Sequence, residues 1–196
     1  MRTKAFLILV LILLNINIKA QRSGDLRIVG FAEVSHFNTG TLTSYGVFGE
    51  VFISRSFSLN YQYTFGTNQY GNFYSHYPGA VSWFVESVKY YDLEYATSES
   101  TDFWIYVLAA TALVPEGISF HAYPRKWLEI APFLNPFSTD YNILDNNHST
   151  ITASLGIRAH AKLGRHFSVV PHFGLKHIYK TSDNGNFYGL GIGWLF

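Results

Sequence analysis

The sequence predicts an all-β fold, a transmembrane antiparallel up-and-down β-barrel, and three observations carry that expectation. Several segments, such as FSLNYQYTFG and ITASLGIRAHAKLG, alternate apolar and polar residues along their whole length. Aromatic residues make up 18% of the chain and charged residues 14%, against about 25% charged in soluble domains. Beyond the amino terminus no uncharged apolar run reaches the roughly 20 residues that a membrane-spanning helix requires. A barrel wall reconciles the three, because it needs an apolar side chain only at every second position.

Residues 1–20 stand apart from the fold. Arg2 and Lys4 give a basic start, Ala5 to Leu14 is unbroken apolar sequence, and Ala20 precedes a polar stretch. The apolar run is about half a bilayer span. This is the layout of a secretory signal peptide, with cleavage expected after Ala20 although Ile18 is bulky for its place. A single barrel domain, 21–196, follows. Removing Arg2, Lys4 and Lys19 from the 14 basic residues leaves 11 against 13 acidic ones. That balance gives no support for nucleic-acid binding. Cysteine is absent, which excludes disulfides, thiolate metal sites and a lipoprotein anchor.

The expected strands run 26–36, 44–54, 57–66, 117–123, 127–137, 150–163, 167–180 and 187–196, eight in all. The first two alternate weakly. In the third, Phe57, Leu59, Tyr61, Tyr63 and Phe65 share one face, with Ser58, Asn60, Gln62 and Thr64 on the other. In 150–163 the apolar face runs from Ile151 through Leu155 to Leu163, opposite Arg158, His160 and Lys162. In 167–180, Phe167, Val169, Phe173, Leu175 and Tyr179 lie opposite His172, Lys176 and Lys180. The last segment sets Tyr188, Leu190, Ile192, Trp194 and Phe196 on one face and Gly189, Gly191 and Gly193 on the other. Large residues outward and almost nothing inward suits a narrow wall in lipid.

This closing strand resembles the C-terminal assembly signature of bacterial outer-membrane proteins, which end on an aromatic residue. The resemblance implies recognition by the barrel-assembly machinery and residence among outer-membrane lipids. Tight turns at Ser54–Ser56, Pro124–Lys126 and Gly164–His166 alternate with longer polar links near 36–43, 67–78, 138–149 and 181–186. Such asymmetry is the outer-membrane pattern and places both termini on the periplasmic side. Residues 79–116 fit less well. Thr101-Asp102 before FWIYVLAATALV reads as a capped helix stopped by Pro115 and Gly117. A partly helical insertion is expected there, with ten strands as the alternative. Pro132, Pro136 and Pro171 fall inside expected strands, where a closed barrel has no free edge for a missing N–H; they demand bulges or positions above the membrane.

Alternation also predicts the lumen. Arg158, His160, Lys162, His172 and Lys176 point inward from two adjacent strands, and Glu50, Glu129 and Glu33 point inward elsewhere. An eight-strand interior is only wide enough for side chains to fill it, and unpaired buried charges are costly. A basic wall facing an acidic one therefore closes into an ion-paired network. In this the chain resembles the small membrane-anchor barrels of the outer membrane protein A type, within the porin-like superfamily. That likeness implies a monomer with a structural or surface-interaction role. The rival use of the basic wall is a phosphate or carboxylate site.

Other chemistry is weakly supported. His121, His160 and His172 face inward without the carboxylate or cysteine spacing of a zinc site, so no metal or cofactor is expected. His36, His76 and His148 fall in links, where solvation suffices. A lipid A-modifying hydrolase would need a serine, a histidine and a carboxylate in relay; Asp145/His148/Ser149 and Glu33/Ser35/His36 are the nearest sets, and neighbours on a strand point to opposite faces. Asn147-His148-Ser149 matches a glycosylation sequon. A soluble, secreted lipocalin-like carrier is the remaining alternative, and it would require the apolar faces to turn inward.

Overall fold

The computed structural model describes residues 23–79, 114–142, 149–179 and 181–196. Ten strands occur among them: β1 Leu26–Phe37, β2 Gly40–Phe52, β3 Phe57–Asn68, β4 Phe73–Pro78, β5 Gly117–Phe120, β6 Ala122–Arg125, β7 Leu128–Asn142, β8 Ser149–Lys162, β9 Phe167–Ile178 and β10 Asp183–Leu195. Each long strand pairs antiparallel with its sequence neighbours, and β10 closes onto β1 from Arg27↔Leu195 to Phe37↔Gly185. A strand of 12 residues, as β1 is, spans about 40 Å. Tilted, it crosses a hydrocarbon layer.

Ten strands occupy eight wall positions. The fourth position is shared: β4 pairs with β3 at Thr64↔His76 and with β7 at Pro78↔Ser138, while β5 pairs with the same two strands lower down, at Asn60↔Gly117 and Ile118↔Leu134. The two pieces point the same way along one line. Just before β5 the Glu116 N–H donates to the Asn60 carbonyl. The expected helix over 79–116 falls almost wholly outside the described residues.

The turn end of the barrel carries the start of β1, the end of β10 and the links 53–56, 126–127 and 163–166; the opposite end is the loop end. Several links at the loop end are shorter than expected. The link near 36–43 is a two-residue hairpin, Asn38–Thr39; the link near 67–78 contains β4; β7 and β8 extend into 138–149; and β10 begins within 181–186. The extensions over 138–142 and 183–186 are rich in polar residues, so they do not alternate in hydrophobicity. The three prolines also find their places. Pro136 sits in a register shift between Asn135 and Ser138, beside the gap between β4 and β5. Pro132 falls where the ladder to the fourth position is interrupted, between Phe133↔Ser119 and Ile130↔Ala122. At Pro171 the ladder to β8 skips from Arg158↔His172 to Ala161↔Val169. Each missing N–H falls beside a discontinuity in a ladder.

Packing is inverted relative to a water-soluble domain. Among the described residues 24 polar or charged side chains are buried against 10 apolar ones, while 28 large apolar side chains are exposed, Phe65 at 65% and Ile192 at 67% among them. Water would not tolerate such an exterior; hydrocarbon requires it. The lipocalin-like alternative, with an apolar interior, is not the arrangement found. On β10 the outward face is Tyr188, Leu190, Ile192, Trp194 and Phe196, all exposed. The inward glycines make room for neighbours: a Cβ at Gly189 would lie 2.5 Å from the His172 ring. Phe167 stacks edge-on against Trp194 at 4.0 Å near the turn end, where aromatic girdles meet the interface.

Candidate functional site

The lumen is the candidate site. Arg27 enters it from β1 near the turn end, on the face shared with Val29 and Phe31. Its Nη1 donates to Glu50 Oε2 on β2 at 2.9 Å and to Glu129 Oε1 at 2.7 Å, and Nη2 donates to Glu129 Oε2 at 2.8 Å. Glu129 belongs to β7, four wall positions away, so one bidentate guanidinium–carboxylate pair ties opposite walls across the interior. His160 Nε2 lies 3.1 Å from Arg27 Nη1. The Nδ1–H of His121 donates to Glu129 Oε1 at 2.8 Å, and the Nε2 of His121 lies 2.8 Å from Ser58 Oγ. Lys162, at the turn-end rim, reaches Glu129 at 3.3 Å.

Arg158 occupies the middle. Its guanidinium is sandwiched between the rings of Phe48 and Phe133, at 4.1 and 4.0 Å, while Nη1 reaches Glu50 at 3.4 Å and Ser119 at 3.3 Å. A planar cation between two rings fills volume and keeps its charge compensated. Phe31, Phe48, Val29 and Val170 pack together beside it.

Toward the loop end a second cluster forms. His76 Nε2 lies 3.0 Å from Glu116 Oε1 and Nδ1 lies 2.6 Å from Asp140 Oδ1. An imidazole between two carboxylates satisfies both only by donating from both nitrogens, which is the imidazolium form. Lys176 meets Asp140 at 2.7 Å, Ser138 donates to Glu116, and His172 meets Glu33 at 3.1 Å. Within these clusters Arg27, Arg158, Lys162, Lys176 and the His76 imidazolium balance Glu33, Glu50, Glu116, Glu129 and Asp140.

All eight residues singled out from the sequence for the lumen line it: Glu33, Glu50, Glu129, Arg158, His160, Lys162, His172 and Lys176. Lys162 is the least covered, at 25% side-chain exposure. The division into a basic and an acidic wall does not hold, because Arg27, on the wall with Glu33 and Glu50, is the cation that links Glu50 to Glu129. Sequence reasoning missed Arg27, Glu116, Asp140 and His76. His76, expected to be solvated in a link, is instead buried on β4. The hydrolase set Glu33/Ser35/His36 is not assembled. Ser35 turns inward and donates to Glu33, while His36 is on the outer face beside Thr41 and Tyr188. Asp145 and His148 lie outside the described residues, and Lys180 does too.

An internal cavity beside Arg158, His172 and Lys176 has a volume of about 10 Å³, room for one water. Above the Asp140–Lys176 pair the interior opens into a vestibule of about 330 Å³ at the loop end.

An inside-out wall of eight positions around an ion-paired interior defines the class: a small β-barrel of the outer-membrane type. One known structure supports the fold with a TM-score above 0.5. The N-terminal β-barrel domain of Pseudomonas aeruginosa OprF superposes with a TM-score of 0.55 at 12% identity, covering 90% of this chain and 100% of that one. Neisserial surface protein A gives a TM-score of 0.48 at 6% identity over 87% and 95% of the two chains, and a de novo designed transmembrane β-barrel gives 0.45 at 13% over 90% and 99%. No protein-family model matches the sequence, and no curated protein matches it.

Proposed function

We propose that the chain is a non-enzymatic integral outer-membrane protein, exported by its amino-terminal segment and seated as a monomer with its turn end toward the periplasm. Its lumen acts as a structural plug, and its loop end meets the outside. The observation that carries this reading is the Arg27–Glu129 pair, a buried bidentate bridge across the full width of the barrel. Such a bridge, with Arg158 wedged between two rings above it, favours a brace over a passage. The exposed apolar band and the aromatic end of β10 support insertion by the barrel-assembly machinery.

Fractionation of cells expressing the full chain tests the proposal. The expected result is recovery in the outer-membrane fraction, release only with detergent, and faster gel migration of unheated than of heated protein. Recovery as a detergent-independent soluble protein would overturn it. Planar-bilayer recording tests the plug separately: no steady conductance is expected, and a stable open channel would contradict a closed lumen.

A further inference from the structure

The vestibule at the loop end has a lining that the plug does not use. Thr150 and Thr181 contribute hydroxyls, Gln69 an amide, and Tyr70 and Tyr74 aromatic rings. Thr150, Thr181 and the Gln69 amide have no side-chain partner among the described residues. Phe37, Leu42 and Ile178 add apolar surface between the polar groups. At the floor, Asp140 is held by Lys176 and His76 at 2.7 and 2.6 Å, so it offers a fixed, charge-compensated edge. Asp183, near the rim, is engaged by Thr39 and Asn38. No cation lines the cavity among the described residues.

Each feature narrows the ligand. A volume near 330 Å³ lies at the lower end of the range for small-molecule pockets. Mixed hydroxyl, amide and ring surface suits a molecule whose edges carry hydroxyls and whose faces carry C–H groups. The lack of a lining cation among the described residues, with Asp140 the one carboxylate in the lining, disfavours an anion. From this lining we infer that the vestibule binds a neutral saccharide of one or two residues, ring faces against Tyr70 or Tyr74 and hydroxyls toward Gln69, Thr150 and Thr181.

The folded full chain in detergent micelles provides the test, independently of where the protein resides in a cell. The probes are maltose and N,N′-diacetylchitobiose, with glucuronic acid as the anionic comparison, and the readout is tyrosine fluorescence alongside ligand-observed NMR. At least one neutral disaccharide is expected to saturate with Kd at or below about 1 mM, and glucuronic acid to bind about tenfold more weakly or not at all. Thr150→Trp, which fills the cavity, and Tyr74→Ala, which removes a stacking face, should each weaken binding about tenfold or more. Both should keep heat-modifiable migration, which shows that the barrel is intact. No saturation by either disaccharide, equal binding of glucuronic acid, or affinity unchanged in Thr150→Trp would overturn the inference. If a barrel variant loses heat-modifiability, Gln69→Ala decides at the rim: weakened binding supports the site and unchanged binding counts against it.

Discussion

Replacing Arg27 with methionine keeps most of the side-chain volume and removes the cation that joins Glu50 to Glu129. Both carboxylates are fully buried, so neither is rescued by water. Breaking a buried pair by deleting one partner costs about 3–5 kcal/mol. Here the lower end applies, because Glu129 keeps His121 at 2.8 Å and Lys162 at 3.3 Å, and Glu50 keeps Arg158 at 3.4 Å. A loss of about 3 kcal/mol is about a hundredfold in the folding equilibrium. Urea or guanidinium unfolding in lipid vesicles, followed by tryptophan fluorescence and gel mobility, reads that change. Glu129→Gln in the Arg27→Met background removes the stranded charge, so the double variant should be more stable than the sum of the single effects by about 1–3 kcal/mol. Arg27→Met within about 0.5 kcal/mol of the parent, or strictly additive single effects, would refute the bridge as a brace.

Further outcomes follow from facing and depth. Leu190→Arg, near mid-strand on the lipid face, should cost about 2–4 kcal/mol, and Trp194→Arg, near the interface, about 0–1; vesicle unfolding compares them, and equal costs would contradict the assigned depths. Gly189→Val places a Cβ 2.4 Å from the Ala32 carbonyl and 2.5 Å from the His172 ring, so it should lower refolding yield, scored as the heat-modifiable fraction. Arg158→Lys keeps the charge but loses the planar fit between Phe48 and Phe133, and should destabilise the barrel by about 1–2 kcal/mol without opening a conductance in planar bilayers. An open channel in that variant would show that Arg158 seals more than it stacks.

How much of this was legible depends on the range of the physics. Period-two facing is local, and it placed Phe57–Phe65, Ile151–Leu163 and Tyr188–Phe196 on the face they occupy, and Arg158, His160 and His172 inside. Pairing is not local. Arg27 lies 23 residues from Glu50 and 102 from Glu129, in a strand whose small and polar outward residues, Gly30 and Ala32 among them, weaken its alternation. Strand β4 was hidden because the fourth wall position is cut in two. Its pieces of 6 and 4 residues are each too short to show a period. His76, Glu116 and Asp140 gather at that cut, two of them in segments whose Asn, Gly, Ser and Tyr content reads as loop. Once β3 is placed, the run FYSHYP beside it carries the one available signal for β4, aromatic residues at Phe73, Tyr77 and between.

Which faces meet lipid is measured most directly by a cysteine scan, and the chain lends itself to one because it has no native cysteine. Single nitroxide labels at successive positions from Ser58 to Phe65, in the barrel reconstituted in vesicles, report collision with oxygen. The account predicts strict alternation, with labels at Leu59, Tyr61, Tyr63 and Phe65 reached by oxygen dissolved in the bilayer and those at Ser58, Asn60, Gln62 and Thr64 shielded. Uniform accessibility along the strand, or the opposite phase, would contradict it.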